Sequence, residues 1–488
     1  MKHRNAFILL LLVAACSTLA PRPCSAQARR IPPGGGTSTT TTTTSSAPAA
    51  TAPATGGDTP AAELYDEASK YADRKFEDFN RRKLTFNPTL LEQTLQEQRR
   101  LASLNATQLS SRPNLAGEDL YYLGMLYHLS GNEERAIETL HRFIGDKAAK
   151  SDRAQTARYI VALDLANGNL LAEAEAALAD YVAHTPHRAS EHVNIEHSLA
   201  KAYRKNKQLE PAVAHAEKAF ELSKTVEPTT ANASLRDYWL FNAGNALVEL
   251  YQDTKKPLSA AASVLEELRR LALDDKSGRL YADVTARLAN LLVDGGRKAE
   301  AVKMVEDSIA QVKASLKDAG AVQELQRKQK QLRLQGELAP EITIARWIGQ
   351  SPVTLANLRG RVVLLDFWAT WCGPCLAAFP HLVEWHEKYQ ERGLVIIGIT
   401  KYYGQAEGQS VDKDYEFGFL ERFRKMYRLP YGIAVAGNDD NHRNYGVSGI
   451  PTAIIIDRHG IIRYMGTGVG GTNEQQVSEM LEKLIEEQ

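Results

Sequence analysis

The chain has 488 residues, too many for one hydrophobic core, so its length predicts two or three domains. Hydrophobic residues make up 43% of it, enough to build such cores, and 59 Lys and Arg residues balance 59 Asp and Glu residues. The formal charge of zero argues against a nucleic acid or an acidic membrane surface as the main partner.

Residues 1–28 have the pattern of a secretory signal peptide. A basic start at residues 2–4 precedes the apolar stretch Ala6–Ala15, which is shorter than the ~20 residues of a membrane-spanning helix. Cleavage after Ala28 would release a soluble exported protein. Alternatively, residues 13–16 resemble a bacterial lipobox, in which Cys16 would carry a lipid anchor. We favour cleavage after Ala28, because it removes Cys16 and Cys24 together and leaves no odd thiol in an exported protein.

Residues 29–60 form a low-complexity segment of Thr, Pro and Gly, with a threonine run from Thr39 to Thr44. The segment lacks the apolar side chains that would offset the entropy cost of ordering, so we predict a disordered linker.

Residues 61–336 have a helical pattern with recurring turn signals, each followed five residues later by an alanine. These alanines stand at positions 136, 174, 212, 260 and 301. Small residues at the closest approach of two helices let helical hairpins stack on one another. The region resembles tetratricopeptide repeats, with spacings longer than their usual ~34 residues. That resemblance implies a concave face for a protein partner.

Residues 338–488 alternate between strand and helix patterns, which predicts an α/β domain with a mixed sheet. The continuous run Val362–Phe367 is typical of a strand buried on both faces. The other predicted strands are 342–344, 353–355, 394–399, 452–457 and 461–464, and the predicted helices are 374–391, 414–428 and 473–487. The predicted fold class is an all-α helical array followed by an α/β domain.

The most specific motif is Cys372-Gly373-Pro374-Cys375, between a predicted buried strand and the start of a predicted helix. A helix N-terminus favours a thiolate and lowers the pKa of Cys372, and Pro374 is tolerated in the first turn. Cys375 is one turn further in and is predicted to be more buried. The pattern predicts thiol–disulfide exchange, with Cys372 as nucleophile and Cys375 as resolving thiol.

Two structural roles compete with this interpretation. A zinc site needs four ligands, and the domain holds no further cysteine, although His381 and His386 are near in sequence. The second alternative, that the two cysteines form an inert structural disulfide in a tight helical turn, remains open. We predict no metal and no cofactor beyond the redox-active pair Cys372 and Cys375.

The segment from Asp366 to Cys375 resembles the active-site segment of thioredoxin, and Ser448–Thr452 resembles its cis-proline loop. The wider pattern is similar to the TlpA/ResA-like branch of exported thiol–disulfide oxidoreductases in the thioredoxin superfamily. The resemblance implies that residues 338–488 have the thioredoxin fold and that Asp366 relays a proton to or from Cys375. It also implies that the substrate groove is formed by Trp371, Gly373, Pro374, Ile450 and Pro451. Independently, a carboxyl inside an apolar strand should have a raised pKa.

We therefore predict an exported, periplasmic or extracytoplasmic thiol–disulfide oxidoreductase that reduces protein disulfides. A membrane thiol-electron donor is implied by analogy with the family. One alternative is an adaptor, in which the helical array binds a protein partner and the redox domain is secondary or inert. Another is a peroxidase of the related redoxin group, which the paired cysteines disfavour. The sequence leaves the role of the segment Lys401–Val411 open.

Overall fold

The computed structural model describes residues 59–82, 88–146, 151–227, 233–407, 409–468 and 471–487. The predicted signal peptide, with Cys16, Cys24 and both processing sites, lies outside the described residues, as does the predicted linker up to residue 58. Within the described ranges, no helix has both the length and the apolar character that crossing a membrane requires.

The first half of the structure is an array of α-helices. They are α1 (Ala61–Ser69), α2 (Tyr71–Arg81), α3 (Pro88–Ser110), α4 (Glu118–Ser130), α5 (Glu133–Ile144), α6 (Ser151–Asn167), α7 (Leu171–Ala183), α8 (Ala189–Lys205), α9 (Leu209–Ser223), α10 (Ala233–Asp253), α11 (Leu258–Asp274), α12 (Gly278–Asp294), α13 (Lys298–Gln311) and α14 (Ala319–Leu334). A π-helix, Val312–Leu316, extends α13.

Helices α4 to α13 pair into hairpins, as the repeated turn signals predict. Each turn contains a residue in the left-handed conformation: Gly131, Asn169, Lys207, Lys255 and Gly296. Small residues bring paired helices close together. A Cβ on Gly124 of α4 would lie 2.5 Å from Leu140 Cδ2 of α5, and one on Gly244 of α10 would lie 2.5 Å from Leu268 Cδ1 of α11. The array of hairpins confirms the predicted helical region.

Four of the five repeated alanines are fully buried between helices: Ala136, Ala174, Ala212 and Ala301. The prediction was wrong for Ala260, which is half-buried, while the next residue, Ala261, is buried. The reason is Pro257, which lengthens the turn. Helix α11 begins three residues after the left-handed Lys255, whereas the other four second helices begin two residues after theirs.

The C-terminal part is a six-stranded mixed sheet in the order β1-β6-β3-β2-β7-β8. Strands β2, β3 and β6 run parallel, and β1, β7 and β8 pair antiparallel with their neighbours. The elements are β1 (Arg346–Ile348), β2 (Val362–Phe367), α15 (Gly373–Tyr389), β3 (Leu394–Lys401), β4 (Gln405–Ala406), β5 (Gln409–Ser410), α16 (Lys413–Met426), β6 (Gly432–Ala436), α17 (Asp440–Tyr445), β7 (Thr452–Ile456), β8 (Ile462–Thr467) and α18 (Gly471–Glu486). Two short 3₁₀ helices, Ala356–Leu358 and Gln390–Arg392, flank β2 and α15. This mixed sheet with its helices confirms the predicted α/β fold.

Two predicted strands, 342–344 and 353–355, are wrong because side chains take the backbone hydrogen bonds there. Asn441 accepts from Thr343 N at 2.9 Å and donates to Thr343 O at 2.8 Å. The carboxylate of Glu341 accepts from Leu355 N and Ala356 N at 2.8 and 3.3 Å. Strands β1 and β6 form instead, and neither was predicted from the sequence pattern.

Strand β2 lies inside the sheet, and every residue in it is buried. Val362 and Leu364 pack in the cluster that contains side chains of α15, α16 and α18, whereas Val363, Leu365 and Phe367 pack on the opposite face. Because side chains alternate along a strand, Asp366 faces the same side as Leu364, towards α15.

The last helix of the array, α14, packs against the C-terminal domain, where Leu334 contacts its hydrophobic core. Gln331 Nε2 donates to Gly446 O at 2.8 Å, in a buried contact. Beyond α14, Gly336 N donates to Ile462 O at 2.7 Å, and Ile462 N donates to Glu337 O at 2.9 Å. Residues before 338 therefore contribute to the sheet domain.

Candidate active site

The two cysteines of the motif lie at the start of α15. Cys372 is the N-cap residue, and its Sγ accepts a hydrogen bond from Cys375 N at 3.2 Å. Unpaired N–H groups and the helix dipole favour an anionic sulfur at this end. A disulfide joins Cys372 to Cys375, and the two residues are 5% and 1% exposed. Cys375 is the deeper one, although Cys372 is also buried.

Trp371, next to Cys372 in the chain, contacts Tyr403, to which the sequence pattern assigned no role. Its ring is half-buried and meets Tyr403 edge-to-face, with 5.1 Å between ring centroids. Within the motif itself, Pro374 is exposed and Gly373 is half-buried. The motif and this aromatic pair therefore both contribute to the surface beside the disulfide.

Tyr403 lies in the segment 401–411, which begins at the last residue of β3 and contains the short β4–β5 hairpin. Glu416 of α16, which is buried, accepts hydrogen bonds from Tyr403 N at 2.8 Å and Gly404 N at 2.9 Å. Burial raises the pKa of Glu416, and the two backbone hydrogen bonds oppose that rise. The segment thus lies against the wall of the site.

The Ile450–Pro451 peptide bond is cis, the geometry that the resemblance implies. Thr452, the next residue, pairs with Phe367 at the end of β2. Pro451 therefore lies at the same end of the sheet as the loop that leads to Cys372. Ile450 is half-buried and packs against the hydrophobic cluster that includes both cysteines.

Asp366 is the buried ionisable group nearest to the motif along β2. It is 3% exposed and pairs with Gly398 on β3 and Ala453 on β7. Burial raises the pKa of its carboxyl from 3.8 to about 7. The sequence predicted this rise in the pKa, because Asp366 lies inside an apolar strand. A carboxyl with such a pKa exchanges its proton readily near neutral pH.

The two histidines near the motif are not arranged as metal ligands. His381 Nε2 lies 2.6 Å from Glu474 Oε1, and His386 packs near Tyr431. In the part of the chain that the structure describes, no three or more His, Cys, Asp or Glu residues are grouped to hold a metal ion.

Known proteins resemble this part of the chain. Residues 335–465 match the model of the AhpC/TSA family. The thiol-disulfide oxidoreductase ResA of Halalkalibacterium halodurans is 31% identical over 147 residues, which cover 30% of this chain and 75% of that protein. The chain belongs to the ResA family of thiol–disulfide oxidoreductases. ResA of Bacillus thuringiensis subsp. konkukian is 29% identical over 149 residues, 30% of this chain and 78% of its own. The crystal structure of a thiol-disulfide isomerase from Corynebacterium glutamicum aligns with 31% of this chain and 98% of its own at 21% identity, with a TM-score of 0.27.

Membership of the ResA family confirms the predicted family and enzyme class. The family-model match begins at residue 335, directly after α14 ends at Leu334. The resemblance to ResA concerns 30% of the chain, so it describes the redox domain and not the helical array.

Proposed function

We propose that this protein is exported and reduces disulfides in other proteins with the pair Cys372 and Cys375. The observation that carries the proposal is a Cys-Gly-Pro-Cys segment at a helix N-terminus, preceded on a buried strand by the carboxyl of Asp366. A nucleophile, a resolving thiol and a proton acceptor are the three groups that thiol–disulfide exchange requires.

The reaction proceeds in two exchange steps. The Cys372 thiolate attacks one sulfur of a substrate disulfide, and the other substrate sulfur leaves as a thiolate and takes up a proton. Cys375 then gives its proton to the Asp366 carboxylate, and its thiolate attacks Cys372 Sγ. The second substrate sulfur leaves, so two electrons have passed from the cysteine pair to the substrate, and the protein ends as the disulfide.

The substrate chain binds, in this proposal, to the surface formed by Trp371, Gly373, Pro374, Ile450 and Pro451. The support is their position: Pro374 is exposed within the motif, and the half-buried Trp371 and Ile450 both pack against the hydrophobic cluster that contains the two cysteines. Pro451, next to Ile450, is itself buried. An extended substrate segment would pair with the backbone beside Ile450 and present its disulfide to Cys372.

The sequence supports the two remaining parts of the proposal, that the protein acts as a reductant and that it is exported. Gly373 and Pro374 supply no side-chain donor or positive charge to the Cys372 thiolate, which favours a reductant. Residues 1–28 support export. A reductant in an oxidising compartment must be recharged after each cycle, and the family resemblance suggests a membrane thiol-electron donor.

Trapping tests the role of each cysteine. In Cys375→Ser, the mixed disulfide on Cys372 cannot be resolved, so we expect a covalent adduct with insulin that dithiothreitol releases. Cys372→Ser is the matched control, because it keeps the second thiol and lacks the nucleophile. Non-reducing electrophoresis and mass spectrometry detect the adduct. An equal adduct on Cys375 in the control would contradict the assigned roles, and no adduct in either variant would contradict the function.

The adaptor alternative is favoured by one observation, the stack of helical hairpins in α4 to α13. A protein partner on this array fits the predicted concave face. An adaptor with an inert redox domain would give no adduct with Cys375→Ser, whereas an oxidoreductase that also binds a partner would give one. The peroxidase alternative requires turnover of hydrogen peroxide, which the paired cysteines disfavour.

A further inference from the structure

Residues 446–451 form the loop between α17 and β7 that carries the cis Ile450–Pro451 bond. The first residue of this loop is held from outside the redox domain. Gln331 of α14 is 9% exposed, and its Nε2 donates to Gly446 O at 2.8 Å in a buried contact. A side chain of the helical array therefore fixes the backbone where the loop 446–451 begins.

The packing of α14 against the start of the loop is close. Gly446 ends α17 in the left-handed conformation, with a φ of 64°. A Cβ there would lie 2.8 Å from Arg327 O and 3.2 Å from Gln331 Cγ. About one turn further along α14, Leu334 packs against the hydrophobic cluster that contains Val447. Residues 327, 331 and 334 lie on one face of the helix, and that face supports the loop.

The other end of the loop is held by the redox domain itself. Thr452 Oγ1 donates to Gly449 O at 2.7 Å, and Gly468 N donates to Pro451 O at 2.8 Å. Gly449 and Ile450 are half-buried, so the middle of the loop reaches the surface. The loop is thus fixed at both ends, and its middle is open to a substrate.

The array supports α14 from behind. Lys328 of α14 donates a hydrogen bond to Asn290 Oδ1 of α12, and Gln476 Nε2 of α18 donates to Asp294 Oδ2 of α12 at 3.2 Å. Helix α14 is therefore joined to α12, and α12 is itself joined to the redox domain. The match to the AhpC/TSA family begins at residue 335, so Gln331 lies outside the part of the chain that the family model describes.

We propose that Gln331 positions the loop 446–451, so that the last helix of the array sets how tightly a protein disulfide binds at the redox site. The hold on the loop stands on geometry alone. The effect on binding rests on the proposed function, in which the backbone beside Ile450 pairs with an extended segment of the substrate. A loop that is already held in its binding conformation loses less entropy when the substrate pairs with it. Gln331 acts through Gly446 and is a positioning residue.

This role concerns only substrates that pair with the loop. A peptide segment beside a disulfide uses the backbone at Ile450, whereas a small disulfide without a peptide backbone does not. Loss of the Gln331 hydrogen bond should therefore separate the two kinds of substrate. General damage to the fold or to the cysteine pair would slow the reaction with both.

The test replaces Gln331 with Met in the full-length protein, which keeps the length of the side chain and removes the hydrogen-bond donor. The KM for insulin, with dithiothreitol as the electron source, should rise about fivefold with kcat unchanged, because a buried carbonyl loses its partner. The rate at which the reduced protein reacts with hydroxyethyl disulfide should stay at the parent value. Gln329→Met is the matched control and should leave both values unchanged. Gln329 lies on the same helix, but its Nε2 donates to Glu306 Oε1 of α13 at 3.1 Å, so the lost hydrogen bond lies inside the array.

Hydrogen–deuterium exchange of the oxidised protein tests the hold on the loop without turnover. The amides of residues 446–451 should exchange about fivefold faster in Gln331→Met than in the parent and in Gln329→Met. Gln331→Glu is a second variant, which keeps the length of the side chain and lacks a donor when it is ionised. It should change the insulin KM and the exchange rates in the same direction, and it serves alone where Gln331→Met does not fold.

An unchanged insulin KM in the folded variants overturns the effect on binding, and so does an equal slowing of the reactions with insulin and hydroxyethyl disulfide. Parental exchange rates in the loop 446–451 overturn the hold of Gln331 on the loop. A parent protein that does not reduce insulin overturns the proposed function instead, and the exchange rates then still show whether Gln331 holds the loop.

Discussion

Replacing Asp366 with Asn should favour the folded protein more at alkaline pH than at acidic pH. Burial raises the carboxyl pKa from 3.8 to about 7, so the folded protein holds the proton more tightly than the unfolded chain does. At 1.36 kcal/mol per pH unit, ionisation of Asp366 in the folded state costs about 4 kcal/mol. This cost is absent below the unfolded pKa, grows between about pH 4 and pH 7, and is complete above pH 7.

Urea unfolding of the oxidised proteins, followed by tryptophan fluorescence, measures this effect. Four of the five tryptophans lie beyond residue 338, so the signal reports mainly on the sheet domain. The stability difference between Asp366→Asn and the parent should grow by about 4 kcal/mol from pH 4 to pH 8. Burying the Asn amide also changes the free energy of unfolding, by an amount that does not depend on pH. The prediction therefore concerns how the stability difference changes with pH and not its absolute value. A difference that stays constant across this range would refute the raised pKa and the burial of the carboxyl from which it follows.

Three further predictions concern the thiols, the domain boundary and the helical array. In the reduced protein, iodoacetamide should label Cys372 well before Cys375, because Cys372 caps the helix and Cys375 is more deeply buried. Equal labelling rates, measured by mass spectrometry, would contradict the assignment of Cys372 as the nucleophile. Fragments 319–488 and 338–488 should both reduce insulin. The longer fragment should melt at a higher temperature, because it keeps α14 and the pairing of Gly336 and Glu337 with Ile462. Equal melting temperatures would show that α14 adds no stability to the sheet domain. Gly244→Ala should destabilise the array by about 1–3 kcal/mol in thermal unfolding, because its Cβ would lie 2.5 Å from Leu268. Gly145→Ala, at the end of α5 in the same array, should not, because the nearest atom to its Cβ would be 3.6 Å away; similar effects of the two changes would contradict the close packing at Gly244.

The sequence predicts the redox site well because its determinants are local. Four consecutive residues place Cys372 at a helix N-terminus and Cys375 one turn further in. Cys372 follows Asp366 by six positions, along one strand and its loop. The helical array could also be predicted from the sequence, because a turn signal and a small residue recur in each hairpin. The error at Ala260 came from one extra turn residue, which a count of spacings does not detect.

The features that the sequence did not predict depend on residues far apart in the chain. The strands expected at 342–344 and 353–355 fail because Asn441 and Glu341 take their backbone hydrogen bonds. Burial and the nearby Asp366 raise the pKa of Tyr431, which directly precedes β6, and the two residues come near each other because β6, β3 and β2 are neighbours in the sheet. One signal was present: a glycine inside the apolar run 394–399 indicates that another group approaches the backbone there.

The equilibrium reduction potential of Cys372 and Cys375 tests the central claim most directly. Titration of the full-length protein against a glutathione redox buffer measures it. Gly373-Pro374 adds no positive charge to the thiolate, and the ionised Asp366 disfavours a second anion nearby, so both features hold the pKa of Cys372 up. We predict a potential of about −250 mV, close to the value of about −270 mV for thioredoxin. A potential more positive than about −180 mV would contradict the reductant and make the protein a disulfide donor or an isomerase.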